Sequence, residues 1–559
     1  MDNSSDQITI YCNNNNIQKE VKIGSSLLDI YEAVGSPLKH RPLCARVNNR
    51  VKTLMYRCWQ PKEITFLDYT DQSGFRVYVR SLCFVLSKAV NDLFPGRKFS
   101  LIHPVSKGYY CAFAKQEKIS EEDIDKLRQR MKEIIADDRP FKLHTVRTNE
   151  AVKLFRERGM EDKAQLLETA GLSFASYHAL NGYIDYFYGC LTPSAGFVQL
   201  FELASYNDGL LLRVPQSDNP SALNPIIRQD KMFDEYKRFF DIQRSLGLNN
   251  VGDLNLVIRT GRVSEIVMVS EAIQEKRIAS IAEQIASRYN HNGVRIVLIS
   301  GPSSSGKTTF CKRLQIQLIT NQIHPIGISL DDYYVNRQDT PKDEYGRYDF
   351  ESLYAIDLPY FKKDLQRLIA GEEVEMPSYN FNTGLREYKG HKLKMKDNSV
   401  LLLEGIHGLN PELTDTIPPE RIFRVYVSAL TTIMLDRHNR IPTTDNRLLR
   451  RIVRDYQFRG YTAKQTISMW ENVRRGEEKW IFPYQENADE VFNSAMLYEF
   501  AALRHYAEPI LNEVHENEEE FSEAYRLLRF LRYFNYIYEV ELPGTSLLRE
   551  FLGGGKFNY

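Results

Sequence analysis

No two cysteines in this chain are separated by two residues, and the seven that occur (Cys12, Cys44, Cys58, Cys83, Cys111, Cys190 and Cys311) are scattered and odd in number. That pattern excludes a zinc ribbon and a paired disulfide frame; it fits reduced thiols in a cytoplasmic protein that carries no zinc. An excess of either charge is also missing. Lys and Arg total 73 and so do Asp and Glu, so no overall field draws the chain to nucleic acid or to a membrane. No apolar run approaches the length of a membrane span. The opening MDNSSDQITI lacks the basic stretch and apolar core of a secretory signal. No repeat of solenoid period occurs, and the one low-complexity patch, Asn13–Asn16, reads as a hairpin tip.

What is present is an ordinary globular balance, 43% hydrophobic and 26% charged over 559 residues. That length predicts about three or four domains. Residues 1–70 are strand-rich and broken by turns, as in a small β-grasp-like unit. Residues 71–230 mix helices (near Ser81–Leu93, and Glu121–Ala136 entered through Ser120) with a strand near Gly108–Ala114. Residues 231–290 read as a helical connector. Residues 291–494 alternate strands and helices, and 495–559 form a helical, aromatic tail. The expected class is α/β, with a doubly wound parallel sheet in the fourth segment.

That segment opens on the most informative residues of the chain. Val294–Ser300 (VRIVLIS) suits a buried parallel strand, and Gly301-Pro302-Ser303-Ser304-Ser305-Gly306-Lys307-Thr308-Thr309 follows it into a helix. This is G-x-x-x-x-G-K-[ST] in the strand–loop–helix setting that a phosphate-binding loop requires. The glycines let backbone N–H groups face an anion, and the helix N-terminus adds partial positive charge. Lys307 suits the β- and γ-phosphates of ATP, and Thr308 suits Mg²⁺.

Acids follow where a kinase needs them. Pro325–Leu330 reads as a strand ending in Asp331-Asp332-Tyr333-Tyr334, which puts Asp331 in the ligand crevice as a candidate base for an attacking hydroxyl. Val400–Leu403 is a third strand, and Glu404 at its end is placed to hold Mg²⁺ directly or through water. Residues 437–459 carry seven arginines and no lysine. Arg447, Arg450, Arg451, Arg454 and Arg459 form a candidate lid whose planar forks clamp phosphate, with Arg454 grouped with Lys307 and Asp331 as catalytic.

In order, GPSSSGKTT, SLDDYY, LLLEGIHG and RRIVRDYQFRG resemble the motifs of uridine kinases and the wider phosphoribulokinase/uridine kinase group, over about Val294–Ser494. The resemblance implies that Asp331 is the base on a ribose 5′-hydroxyl and that Tyr334 lines the nucleoside pocket. It further implies that Asp357 grips the ribose hydroxyls, Tyr379 and Phe381 wall the base, and Arg386 lies beside the sugar. The family's pyrimidine-binding histidine falls at Gly384 here, which offers no side chain for that bond.

In the first half, RSLCFVLSKAVNDLFPG (80–96) and GYIDYFYGCLTPSAG (182–196) resemble the second additional domain of threonyl-tRNA synthetases, and the preceding unit resembles their TGS domain. The four editing positions of that domain fall at Arg80, Phe84, Phe187 and Leu191, none of them a metal ligand. Metal binding and editing are therefore not expected there. Binding of tRNA needs basic surface and shape instead, and a scaffold for regulation or homo-oligomerisation is the favoured role. The expected activity is ATP-dependent phosphorylation of a ribonucleoside. Two alternatives stand beside it: a kinase of another small hydroxyl metabolite, and an RNA-associated NTPase switch.

Overall fold

The computed structural model describes residues 6–35, 38–114, 117–538 and 541–558. Strands β1 (Gln7–Cys12) and β2 (Ile17–Lys22) form the hairpin whose tip is Asn13–Asn16. Asn16 takes a left-handed turn conformation, φ 56°, which asparagine tolerates. Helix α1 (Leu27–Ala33) starts in a reciprocal capping box between Ser26 and Asp29. With β3 (Cys44–Val47), β4 (Arg50–Thr53) and β5 (Lys62–Leu67) the sheet order is β2-β1-β5-β3-β4.

Helix α2 (Gln72–Leu93) is capped by Asp71 and begins well before Ser81. The polar opening QSGFR hides its start from the apolar pattern, and Gly74 is required there because a Cβ would fall 1.8 Å from the Asp68 carbonyl oxygen. Then come β6 (Phe99–Val105), β7 (Gly108–Phe113), α3 (Glu121–Ala136, capped by Ser120), β8 (Lys142–Arg147), α4 (Thr148–Glu157), α5 (Glu161–Ala170), β9 (Phe174–Leu180), β10 (Tyr183–Asp185), β11 (Glu202–Tyr206) and β12 (Gly209–Arg213). They build two antiparallel sheets, β11-β12-β7-β6 and β10-β9-β8. Three helices follow: α6 (Asp230–Ser245), α7 (Val251–Arg259) and α8 (Val263–Asn292).

The next unit comprises β13 (Ile296–Ser300), α9 (Lys307–Thr320), β14 (His324–Ser329), α10 (Leu358–Ile369), β15 (Val374–Asn380), β16 (Leu385–Leu393), β17 (Ser399–Glu404), β18 (Ile422–Ser428), β19 (Met434–Asp436), β20 (Asn439–Arg440), α11 (Thr443–Phe458), α12 (Ala463–Trp480) and β21 (Glu490–Asn493). Its sheet is wholly parallel, in the order β14-β17-β13-β18-β21. From β13 the chain goes to the edge strand β14, returns to β17 between the two, then crosses to β18 and β21 on the other side, opening a crevice at the carboxyl ends where such sheets bind ligands. The last helices are α13 (Glu499–Asn512), α14 (Phe521–Leu531) and the short α15 (Arg549–Leu552).

The stretch read as a connector is more than a tether. Glu271 and Glu275 of α8 pair with Arg313 of α9 at 3.3 and 2.7 Å, and Gln274 donates to the Asn493 carbonyl at 2.8 Å. The first half is also joined to the sheet unit through the β19–β20 hairpin. Buried Lys163 meets Asp185 at 2.7 Å and Asp436 of the hairpin at 2.8 Å. His438 meets the other Asp185 oxygen at 2.7 Å and stacks on Phe187. Asn439 accepts from the Tyr188 amide and donates to the Tyr186 carbonyl. Phe84, Phe187 and Leu191 pack in one apolar core, and Arg80 donates to the Cys190 carbonyl at 2.7 Å. Among the described residues no helix is long and apolar enough to cross a membrane.

Candidate active site

The phosphate loop leaves β13 at Ser300 and enters α9 at Lys307. Gly301 is forced, because a Cβ there would lie 2.0 Å from the Val427 carbonyl oxygen; Gly306 has φ +83° and lies against Leu547. Ser303, Ser304 and Ser305 complete the loop between Pro302 and Gly306, and Ser304 also takes a left-handed conformation, φ 57°. Lys307 Nζ donates to the Pro302 carbonyl at 3.2 Å. Thr308 is half-buried, and Thr309 is buried.

Three carboxylates feel the charge of the lysine. Asp331 follows β14 in a short 3₁₀ turn that Ser329 caps. Burial pushes its pKa up, against the pull of Lys307 and a hydrogen bond from Tyr334. Burial raises Glu404 to about 7, opposed by Lys307 and reinforced by Asp331 and Glu550. Glu351 also rises to about 7 through burial, with Glu477 and Asp331 adding to the shift and Arg451 and Lys307 opposing it. A bound cation would reverse these shifts by favouring the ionised forms. Among the described residues no three His, Cys, Asp or Glu side chains converge as a metal site.

On the acceptor side the expected aromatic walls come together. Tyr334 lies 5.5 Å from Tyr379 and 6.3 Å from Phe381, and the latter two are 5.1 Å apart. The buried Tyr379 hydroxyl has no protein partner, while Phe381 is 59% exposed. Asp357 and Arg386 pair with each other beside these rings. Asp357 caps α10 by accepting from the Tyr360 amide, and its other oxygen pairs with Arg386 at 3.1 Å. Arg386 also donates to the carbonyls of Tyr333 and Tyr334. Gly384, φ +72°, lies under Arg337, where a Cβ would be 2.7 Å from the Arg337 Cβ.

The arginine lid needs correction. Arg447 and Arg450 lie inside the body, each paired with a fully buried carboxylate, Glu477 and Glu499. A buried guanidinium without its acid would be severely destabilised, so neither presents a free fork to phosphate. They brace the loop instead: Arg447 donates to the Ser303 carbonyl at 3.1 Å and Arg450 to the Ser304 carbonyl at 3.3 Å. Arg451, Arg454 and Arg459 do cluster, around the single buried Asp455, at 3.2, 2.7 and 3.6 Å. Three guanidinium charges on one carboxylate leave a net cation, and Arg451 reaches the Ser303 hydroxyl at 2.9 Å.

The β13–loop–α9 phosphate cradle, the acid after β14 and the acid ending β17 all lie in one segment of the chain. Residues 296–499 match the Phosphoribulokinase / Uridine kinase family. The chain is also similar to solved structures described as a possible uridine kinase from Bacillus stearothermophilus (20% identical, 36% of this chain, 89% of that one, TM-score 0.25) and a D-glycerate 3-kinase from Cryptococcus neoformans var. grubii (14% identical, 50% of this chain, 87% of that one, TM-score 0.22). The N-terminal region matches threonine–tRNA ligases: that of Carboxydothermus hydrogenoformans at 26% identity over 191 residues and that of Acetivibrio thermocellus at 27% over 188. Each match covers 34% of this chain and 30% of the ligase, so the chain spans under a third of those relatives.

Three acids around the phosphate loop escaped sequence reasoning. Glu351 lies in the YDFESLYAIDL stretch, where only Asp357 drew notice. Glu477 accepts from the Ser303 amide at 3.2 Å, and Glu550 accepts from Thr309. The local sequence around Glu477 and Glu550 carries no motif, since both reach the loop from distant helices.

Proposed function

We propose that the chain transfers the γ-phosphate of ATP to the 5′-hydroxyl of a ribonucleoside. The observation that carries this reading is Asp331: half-buried at the end of a parallel strand, hydrogen-bonded to Tyr334, and near enough to Lys307 for the lysine to oppose its upward shift. Such a carboxylate suits removal of a proton from an attacking hydroxyl, while Lys307 and the Arg451–Arg454–Arg459 cluster neutralise charge on the transferring group. Mg²⁺, held by Thr308 and Glu404, would polarise the phosphate oxygens. Most of the acceleration comes from positioning, because the transition state is loose.

Tyr334, Tyr379 and Phe381 favour a flat, uncharged acceptor, since stacking tolerates any base. Arg386 is already neutralised by Asp357, which argues against a phosphorylated sugar. With Gly384 in place of a hydrogen-bonding side chain, base selectivity should be loose. A switch that only senses nucleotide would have no use for the Asp331 carboxylate beside an aromatic pocket.

The test is ADP release with uridine, cytidine, adenosine, 2′-deoxyuridine and ribulose 5-phosphate as acceptors, with Lys307→Ala as control. Ribonucleosides should be used with kcat/KM values well within the ~10⁴-fold discrimination that hydrogen-bonded selection reaches, and Lys307→Ala should be inactive. Turnover of ribulose 5-phosphate alone would overturn the acceptor assignment. Unchanged turnover in the lysine variant would overturn the donor site.

A further inference from the structure

The α15 segment lies across the phosphate loop. One oxygen of Glu550 accepts from the Thr309 backbone amide at 3.1 Å and from the Thr309 hydroxyl at 2.7 Å. This is not a passing surface contact. Leu547 sits on Gly306, where a Cβ would be 2.6 Å from Leu547 Cδ2. Phe551 lies 4.9 Å from the Arg450 guanidinium. Leu547, Leu548 and Phe551 are fully buried in the core that also holds Val297 and Phe310. Apolar packing therefore fixes the backbone that aims the carboxylate at α9.

The target matters. Thr309 stands in the first turn of α9, the last residue of the phosphate-loop motif. Amides there are unsatisfied within the helix and sit at its positive end, so they bind anions. A triphosphate on the loop brings oxygens of the same charge seeking the same donors. The negative charge of Glu550 also reaches Glu404, whose pKa it helps to raise. A carboxylate and a phosphate cannot both occupy that corner without strong repulsion.

We propose that Glu550 is a built-in competitor of the nucleotide: the carboxylate holds the Thr309 donors in the nucleotide-free protein, and a triphosphate binds by turning it out. The inference rests on the donor-site reading of the loop. Once Glu550 turns out, α15 keeps the packing of Leu547, Leu548 and Phe551 but loses its hydrogen bonds to Thr309, so its backbone opens more readily. Apparent nucleotide affinity is then reduced by the fraction of molecules in which the carboxylate is docked.

The test compares Mg·ATP binding by calorimetry in the wild type, Glu550→Gln and Lys307→Ala. Glutamine keeps the shape and one acceptor but removes the charge. Because charge-assisted hydrogen bonds are roughly twice as strong as neutral ones, Glu550→Gln should bind ATP on the order of tenfold more tightly. Hydrogen exchange in the wild type is the second readout and needs no variant: amides of 547–552 should exchange faster when ATP is added. Equal or weaker binding by Glu550→Gln, or slower exchange on ATP addition, overturns the competitor role. Failure of the underlying reading looks different. Lys307→Ala would then bind ATP as the wild type does, or no form would bind it, and the proposal falls with the donor site.

Discussion

Replacing Glu404 with glutamine should make the nucleotide-free protein more stable at pH 8 while removing activity. Glu404 ends β17, and burial, with Asp331 and Glu550 adding to it and Lys307 opposing it, raises its pKa from 4.5 to about 7. Above pH 7 the carboxylate is ionised in both folded and unfolded chains, and the fold bears the cost of holding it charged. Below pH 4.5 it is protonated in both, and the cost vanishes. One pKa unit corresponds to 1.36 kcal/mol, so the penalty at pH 8 is about 3 kcal/mol. Glutamine never ionises and escapes it. For a unit of 150–250 residues about 1 kcal/mol moves the melting temperature by 2–4 °C, so calorimetric scans at pH 8, 6 and 4 should show a gain of several degrees that shrinks stepwise. Equal melting at pH 8, or a gain that persists at pH 4, would refute the assignment of strain to a buried charge. Added Mg·ATP should reverse the order, because a cation at Glu404 stabilises the carboxylate and not the amide.

Asp331→Asn should leave ATP binding near wild type and lower kcat by roughly 10²–10⁴-fold, the usual worth of a positioned general base; a rise in KM alone would make Asp331 a binding group. Two arginines expected in one lid should behave oppositely. Arg447→Ala leaves the fully buried Glu477 with Arg474 as its only cation, at 3.2 Å, and should destabilise the fold by up to about 3 kcal/mol. Arg454→Ala leaves Arg451 and Arg459 on Asp455, so melting should change little while kcat falls. Equal thermal behaviour of the two variants would contradict the division between brace and clamp.

The parts of the site that were legible in the sequence are those written in contiguous residues. GPSSSGKTT fixes its own geometry, because the glycines, the lysine and the helix start are neighbours in the chain. The ends of β14 and β17 were legible because a run of apolar residues stopping at an acid has few structural meanings. Partnership was not legible. Glu477 reaches Ser303 from 174 residues away and Glu550 reaches Thr309 from 241, and nothing local to either glutamate announces it. For the same reason Arg447 and Arg454 looked alike: a sequence displays a guanidinium but not the carboxylate that cancels it. Nor does the sequence show that Asp357 caps α10 through the Tyr360 amide and pairs with Arg386, because a capping acid and a ligand-binding acid share one residue type.

The hairpin at Met434–Arg440 binds the two halves of this chain into one unit of inheritance. Lys163 belongs to one half and half of its neutralising charge to the other, so a drift in either must be answered in its counterpart. A kinase domain borrowed from elsewhere could not simply be spliced behind the first half. It would have to bring its own acid for Lys163, an imidazole for Asp185 and an amide for Tyr186 and Tyr188. The junction thus works as a lock whose key is cut from seven residues, and a transplanted domain without that cut would leave a lysine and an aspartate sealed in apolar surroundings and under-compensated.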